Sequence, residues 1–188
     1  MTQPHPLPYG LRDVKIIPYT DLSATVLGAS KIDLPVAQTF SFTDTEDYTD
    51  LRGDDKLITS HGQGSSVDWS TESGGIPLEA YAAVAGGSVN ETGVTPNRVK
   101  RYKKNVNNQR PFFLAEGQSI SDSGGDVHGV VYCCRATGEI SGEFTDGEFF
   151  VTSMSGKGFP ARAANLGSYA NALDDLYDFV QNETITAI

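Results

Sequence analysis

The sequence is poor in cysteine, methionine and long apolar runs. Its 188 residues include 2 Cys, 2 Met and 1 Trp, and 38% of them are hydrophobic. The two cysteines, Cys133 and Cys134, are adjacent and cannot build the disulfide framework of a small secreted domain, which fits assembly in a reducing cytoplasm. Few methionines together with 20 glycines argue against a helical bundle.

Positive charge is also scarce. The chain has 14 Lys+Arg against 24 Asp+Glu, a net charge of −10. A dedicated duplex-DNA binder needs a positive potential over its footprint, so this balance argues against that class of protein.

Neither a signal peptide nor a membrane span is predicted. The longest apolar stretches, residues 80–85 and 130–134, are far shorter than the roughly 20 residues that cross a bilayer. Residues 1–10 are rich in proline and contain neither a basic residue nor an apolar core of signal-peptide length. We therefore expect a soluble protein without membrane anchoring, with residues 1–10 as an extended N-terminal arm.

Residues 11–155 read mainly as strands. Apolar and polar residues alternate over residues 36–43, which is typical of a strand with one buried face. Two further alternating runs flank Asp146-Gly147, and this pattern predicts a hairpin over residues 140–155.

Two helices are predicted among the strands. The first covers residues 77–85, with Pro77 in its first turn and glycines after its end. The second begins near Ser168, and its apolar residues fall three and four apart as far as Val180. Residues 156–167 are rich in Gly and Ala and predict a flexible connection, so that residues 156–188 form a C-terminal helical arm. The predicted fold class is mainly β with two helices (α+β).

Charge of each sign is concentrated in its own segment. A long acidic loop is predicted over residues 44–55, and much of the positive charge lies in residues 98–110. We expect one copy of the chain to dock onto another through Asp44, Glu46, Asp47, Asp50, Asp54 and Asp55 and through Arg98, Lys100, Arg101, Lys103 and Lys104. Two solvated loops, or an intrachain contact of small net worth, are equally consistent with the pattern.

No catalytic, cofactor-binding or metal-binding residue is predicted. His128 beside Asp126 is the best acid–base pair, but alternation puts both on one strand face near a turn, where a structural hydrogen bond is the simpler interpretation. Residues 121–126 resemble a calcium loop in composition only, since the liganding Glu is missing. Cys133 and Cys134 should point to opposite faces of an apolar strand, with one of them in the core as a small hydrophobe.

Four segments resemble the major tail tube protein of long-tailed (siphovirus-type) bacteriophages, particularly those that infect actinobacteria. They are residues 9–15 (YGLRDVK), 42–55 (FTDTEDYTDLRGDD), 117–128 (GQSISDSGGDVH) and 176–184 (LYDFVQNET). The resemblance implies two packed β-sheets, sandwich- or barrel-like, with a flanking helix. It also implies six copies in a ring whose inner strands join into one β-barrel, and rings that stack into a hollow tube.

The resemblance further implies a function and partners. The chain would be a structural virion protein that is assembled in the host cytoplasm and forms the tail conduit for genome ejection. Its partners would be other copies of itself, the tape-measure protein, and the tail terminator and distal tail proteins. Double-stranded DNA would pass through without specific binding, since an acidic wall repels phosphates. The alternatives are another head–tail or tail structural protein (a connector or terminator ring, a decoration protein or a fibre domain) and, further away, a small hydrolase.

Overall fold

The computed structural model describes residues 6–188, and this part of the chain is mainly β with one short helix. The elements are β1 (Pro8–Pro18), β2 (Ile32–Asp33), β3 (Ala37–Gly53), β4 (Lys56–Gly74), α1 (Leu78–Ala85), β5 (Ser88–Thr92), β6 (Val99–Lys103), β7 (Phe113–Ser121), β8 (Asp126–Arg135), β9 (Ile140–Ser141), β10 (Val151–Phe159), β11 (Asn165–Leu166), β12 (Tyr169–Ala170) and β13 (Tyr177–Asn182).

The helix α1 confirms the first of the two predicted helices. Its end follows from Gly86, which has a φ of 76° and donates its N–H to the carbonyl of Ala82. Ala80 and Val84 are buried, so the helix covers one patch of the sheet. Within residues 6–188, no helix combines the length and the apolar character that crossing a bilayer requires.

One nine-stranded antiparallel sheet folds over on itself. Its main path runs β2-β1-β7-β8-β10-β4-β3, with β13 added to β8 and β9 added to β10. The sheet turns from one layer to the other at strand β10. One edge of β10 pairs with β8 through Lys157, Gly158 and Phe159, and the other edge pairs with β4 along residues 151–158. As a result β3 packs against β1 although four strands of the path lie between them. The two layers therefore belong to one sheet, where two packed sheets were expected.

Two apolar clusters lie on opposite sides of β7 and β8. The first lies between the layers and includes Trp69 of β4, Phe113 of β7 and Met154 of β10, with α1 closing one side. The second is covered by the segment that follows β10, with Leu166 at its centre. Cys134 belongs to the first cluster and Cys133 to the second, which confirms that the adjacent cysteines point to opposite faces of the strand.

The prediction of a long acidic loop over residues 44–55 is wrong. Strands β3 and β4 continue through residues 44–55 and meet at a two-residue turn, Asp54-Asp55. Both turn residues have positive φ, 49° and 59°, which is the backbone of the turn that suits a twisted two-residue hairpin. Aspartate tolerates this conformation because its short side chain can bond to its own backbone.

The prediction of a C-terminal helix from about Ser168 to Val180 is also wrong, and residues 156–188 pack on the domain where a separate arm was expected. Strand β13 hydrogen-bonds to the open edge of β8 from Tyr177 to Asn182, and this long-range pairing overrides the helical spacing. Positive φ at Asn171 and Asp174 breaks the segment before it. Residues 156–159 belong to β10, and Ala161 beyond them is buried.

At the N-terminus, residues 1–5 of the predicted arm lie outside the described residues. Residues 8–10 begin β1, and Pro8 and Tyr9 pair with Ser121 and Ile120 of β7. The described part of the predicted arm is therefore docked on its own domain.

The predicted hairpin around Asp146-Gly147 exists with shorter strands than expected. Ile140 and Ser141 pair with Met154 and Ser153, which confirms the antiparallel pairing. The intervening residues 142–150 form a loop, because β4 takes up the backbone hydrogen bonds along one edge of β10 and β9 reaches only two residues of the other.

Candidate assembly surface

The distal half of the β3–β4 hairpin stands away from the domain. Strand β10 pairs with β4 only from Val67 onward, so residues 44–66, hereafter the arm, hydrogen-bond as strands only to each other. Within the arm only Gly53 and Gly62 are not exposed. At about 3.3 Å per residue, the arm extends roughly 35 Å from the body of the fold.

Aromatic contacts fix the root of the arm. The Phe42 ring lies 5.3 Å from those of both Tyr177 and Phe179 on β13. Tyr177 Oη donates to Asp44 Oδ2 at 3.3 Å. The direction of the arm is therefore set by the packing of β3 on β13, whose position only the folded sheet determines.

The arm carries apolar side chains that nothing in the described chain covers. Tyr48, Leu51, Leu57 and Ile58 each expose more than half of their surface. A cluster of exposed apolar groups on a protruding hairpin marks a contact surface for another molecule.

The arm's acidic residues are only partly engaged. Glu46 Oε2 accepts a hydrogen bond of 2.7 Å from Tyr48 Oη, and this bond raises the pKa of Tyr48. Asp50 lies 3.7 Å from Arg52. Within residues 6–188, Asp47, Asp54 and Asp55 have no ion-pair partner. Half of the predicted acidic contact residues therefore remain available to a partner.

The predicted basic residues lie on the β5–β6 hairpin, and the hairpin divides them between its two faces. On the inner face Lys100 Nζ lies 2.8 Å from Glu79 Oε1 of α1 and 3.6 Å from Glu91, and the hydrogen bond with Glu79 raises the pKa of Lys100. Arg98 also pairs with Glu91, at 3.0 Å. Just after β6, Lys104 donates to the carbonyl of Ala85 at the end of α1.

The outer face of the same hairpin carries unpaired cations. Arg101 and Lys103 lie opposite Asn90 and Ser88 in the ladder, and no ion pair to either is present in the described part of the chain. None of the ion pairs among residues 6–188 joins the arm to β6, so the intrachain contact is excluded there.

The predicted acid–base pair lies in a buried polar cluster. His128 Nε2 lies 2.9 Å from Asp126 Oδ2, and His128 Nδ1 lies 3.3 Å from Glu116 Oε1. All three side chains are buried, Asp126 completely. The sequence reasoning missed Glu116 and Gln118. The alternation of β7 places both on one face of that strand, and in the sheet this is the face on which Asp126 and His128 of β8 lie.

Asp126 fastens the end of the chain to the sheet. Its carboxylate accepts hydrogen bonds from the Thr186 backbone N–H, Asn182 Nδ2, Gln118 Nε2 and His128 Nε2, at 2.5 to 2.9 Å. Burial opposes the charged carboxylate, but these four donors outweigh it and lower the pKa of Asp126 to about 2. The Asp126–His128 pair is buried and held by these hydrogen bonds, which assigns it a structural role.

In the described part of the chain, neither the two cysteines nor the residue types that bind metals form a reactive site. Burial raises the pKa of Cys133 to about 11 and that of Cys134 well above its ordinary value, so both remain neutral thiols. Among residues 6–188, no group of three or more His, Cys, Asp or Glu could hold a metal ion.

Comparison with known proteins finds similarity among solved structures. No family model matches the sequence, and no curated protein matches it. Among solved structures, the chain is similar to the cryo-EM structure of the anti-feeding prophage cap, a tube-terminating cap, with a TM-score of 0.46 and 9% sequence identity. The alignment covers 97% of this chain and 95% of that one. A TM-score at this level does not establish a shared fold.

Proposed function

We propose that this chain is a structural protein of a bacteriophage tail, and specifically the major tail tube subunit. Copies join edge to edge into hexameric rings, and the rings stack into a hollow conduit for viral DNA. The observation that carries the proposal is the unpaired outer edge of β3 together with the arm that continues it. The resemblance of residues 9–15, 42–55, 117–128 and 176–184 to tail tube proteins supports the same function.

The unpaired edge of β3 can form backbone hydrogen bonds with a strand of another molecule. Within the described residues β3 pairs only with β4, which leaves one edge of residues 37–53 open. Soluble monomers protect such edges, because a long exposed edge templates pairing with another chain. Pairing it with a neighbouring copy around a closed ring removes the edge and builds one barrel from several subunits.

The outward face of β3, β4 and β10 suits the bore of such a barrel. Its rows are small and polar, with Ser41 bonded to Ser70 at 2.8 Å and Thr43 opposite Asp68. Lys157 on this face lies 3.4 Å from Asp68, which neutralises it. Binding to DNA depends on free cations that displace counterions from phosphates, so a wall of hydroxyls and carboxylates lets a duplex slide.

The charged surfaces suit contact between rings. The free acids of the arm, Asp47, Asp54 and Asp55, complement Arg101 and Lys103 on the outer face of β6. Because these two surfaces differ, a contact between them is heterologous and repeats from copy to copy. Such a contact would stack rings without limiting the length of the tube. Tape-measure, terminator and distal tail proteins are the partners expected at its inside and ends.

Removal of the arm tests the proposal directly. Thr45 and Ser66 are paired in the ladder, so residues 46–65 can be replaced by Asn-Gly with the register preserved. We expect the wild-type protein at high concentration to form long tubes in negative-stain electron microscopy. The shortened variant should unfold at nearly the wild-type temperature but form no tubes.

A second variant changes the charge of the arm without shortening the chain. Asp47, Asp54 and Asp55 are replaced together by Asn, which should shorten tubes and leave the fold intact. Discrete rings or trimers from the wild-type protein would favour a connector, decoration or fibre protein. A wild-type protein that stays monomeric at every concentration would exclude assembly through β3.

A further inference from the structure

The layer of the sheet that carries the proposed bore face, hereafter the bore layer, has two open edges. Its strand order is β9-β10-β4-β3, because β10 pairs with β9 along one edge and with β4 along the other, and β4 pairs in turn with β3. Among residues 6–188, β3 pairs only with β4, and β9 pairs only with β10. The outer edges of β3 and β9 therefore end the bore layer on opposite sides.

The strand directions make these two edges compatible. All three pairings within the bore layer are antiparallel, so the four strands alternate in direction and β9 runs opposite to β3. When identical copies stand side by side around a rotation axis, β3 of one copy meets β9 of the next, and that junction is again antiparallel for any number of copies. The open edges at β13 and β2 belong to the second layer, and their use would interrupt the bore layer.

The segment that follows β9 already has the arrangement of a longer strand. Ser141 pairs with Ser153, and continuing that register puts Phe144 opposite Phe150. The rings of these two phenylalanines are in contact, with their centroids 4.6 Å apart. The Phe150 ring also covers Gly142, since a Cβ there would collide with it. Residues 142–144 therefore follow the line of β9 alongside β10.

A turn follows this segment. The Glu148 N–H donates to the Thr145 carbonyl, 3.3 Å away, so the chain reverses direction directly after Phe144. Residues 142–144 nevertheless form no strand within residues 6–188. A further strand on their open side would complete the ladder, because an isolated two-stranded hairpin has only marginal stability in water.

The side chains of β9 and the segment after it match the two faces of β3. One row of serines crosses the bore face from β3 to β9, and it consists of Ser41, Ser70, Ser155, Ser153 and Ser141. On the opposite face, the strand alternation places Phe144 on the same side as Phe40 and Phe42 of β3. Phe144 is 83% exposed in the single chain. A junction of β9 with β3 of another copy would continue the polar row and bring Phe144 beside aromatic side chains.

We propose that the edge of β3 in one copy pairs with β9 of the next copy, and that residues 142–144 join β9 as this contact forms. The inference rests on the proposed function, because it requires that copies assemble. It names the partner of the open β3 edge as a specific strand of a second copy. It also assigns the loop after β9 a conformation that only the assembled state completes.

Disulfide trapping tests which strand receives β3. One preparation carries Ser141→Cys and is mixed, under assembly conditions with a mild oxidant, with a second preparation that carries a cysteine on the bore face of β3. The β3 variants, used one at a time, are Thr39→Cys, Ser41→Cys and Thr43→Cys. At least one of them should form cross-linked dimers in the mixture, and no preparation should do so alone. Cys133 and Cys134 are buried and should not interfere.

Ser70→Cys is the matched control for the cross-link. It lies on the same face as Ser41 but one strand further from the junction, about 10 Å from β9 of the next copy, which is beyond the reach of a disulfide. Mixing it with Ser141→Cys should give no cross-linked dimer.

Proline substitution tests the ordering of residues 142–144. A strand that is paired on both sides does not accept proline, because the missing N–H removes a ladder bond whichever edge it faces. Glu143→Pro should therefore prevent tube formation but leave the thermal unfolding of the single chain unchanged, since Glu143 is exposed and lies outside the strands. Asp146→Pro is the matched control, because it occupies the second position of the Thr145–Glu148 turn, which favours proline, and it should still form tubes.

The outcomes separate this contact from the proposed function. Tubes in which position 141 cross-links to none of the three β3 positions, or tubes formed by Glu143→Pro, would overturn the β3–β9 contact and leave the proposed function intact. Absence of any assembly by the wild-type protein would overturn both.

Discussion

Replacement of Asp126 by Asn should destabilise the protein by an amount that its hydrogen bonds predict. The carboxylate lies buried and accepts four hydrogen bonds, and its pKa falls from 3.8 to about 2. This shift corresponds to about 2 kcal/mol of stability at neutral pH. In Asp126→Asn the amide nitrogen would also face the donors of Gln118 or Asn182, which adds to the loss.

The dependence on pH identifies the cause. Because the pKa in the folded state is lower than in the unfolded state, the stabilisation is complete above about pH 4 and is lost as the pH falls through about 2. The difference in unfolding free energy between wild type and Asp126→Asn should therefore be at least about 2 kcal/mol at pH 7 and should shrink by about that amount as the pH falls from about 4 to 2. Urea unfolding at a series of pH values measures it.

A matched control separates this effect from a general change in charge. Asp122 lies four residues earlier and is exposed, and within residues 6–188 its side chain makes no hydrogen bond or ion pair. Asp122→Asn should change the unfolding free energy by less than about 0.5 kcal/mol. Equal stabilities of wild type and Asp126→Asn at pH 7, or a difference that does not vary with pH, would refute the reasoning.

Two other changes test the sheet. Thr43→Lys places a free cation on the proposed bore face and should slow DNA exit from particles built with the variant, whereas Ser168→Lys, on an exposed turn, should not; equal ejection rates would exclude this face as the bore wall. Gly117→Val should destabilise the fold by about 1–3 kcal/mol in thermal unfolding, because a Cβ at Gly117 collides with the Phe40 ring. Combination with Phe40→Ala should recover part of that loss, and strict additivity of the two changes would argue against the clash.

Local sequence signals predicted those elements whose partners lie close in the chain. Pro77 and Gly86 bound α1 because a helix start tolerates proline and a helix end favours glycine, whatever packs around it. The antiparallel pairing of Ile140 with Met154 also followed from a turn between two alternating runs. The opposite orientations of Cys133 and Cys134 required only the two-residue period of a strand.

Distant partners decided the elements that the sequence predicted wrongly. Residues 177–182 have helical spacing, yet the open edge of β8 supplies a hydrogen-bond partner along the whole segment. A strand that depends on a partner 46 to 56 residues away leaves no local signal that outweighs a helical period. The acidic residues 44–55 likewise form a strand because residues 56–66 return alongside them.

The candidate site divides in the same way. Composition and charge alone determined that the chain is acidic, strand-rich and segregated into an acidic and a basic segment. Only the tertiary structure decided that the acidic segment projects as an arm, and that Glu79 of α1 and Glu91 of β5 form ion pairs with Lys100 while Arg101 stays without one in the described residues. The physical reason is that burial and ion pairing depend on which surfaces meet across the folded sheet, and the order of residues along the chain does not specify those neighbours locally.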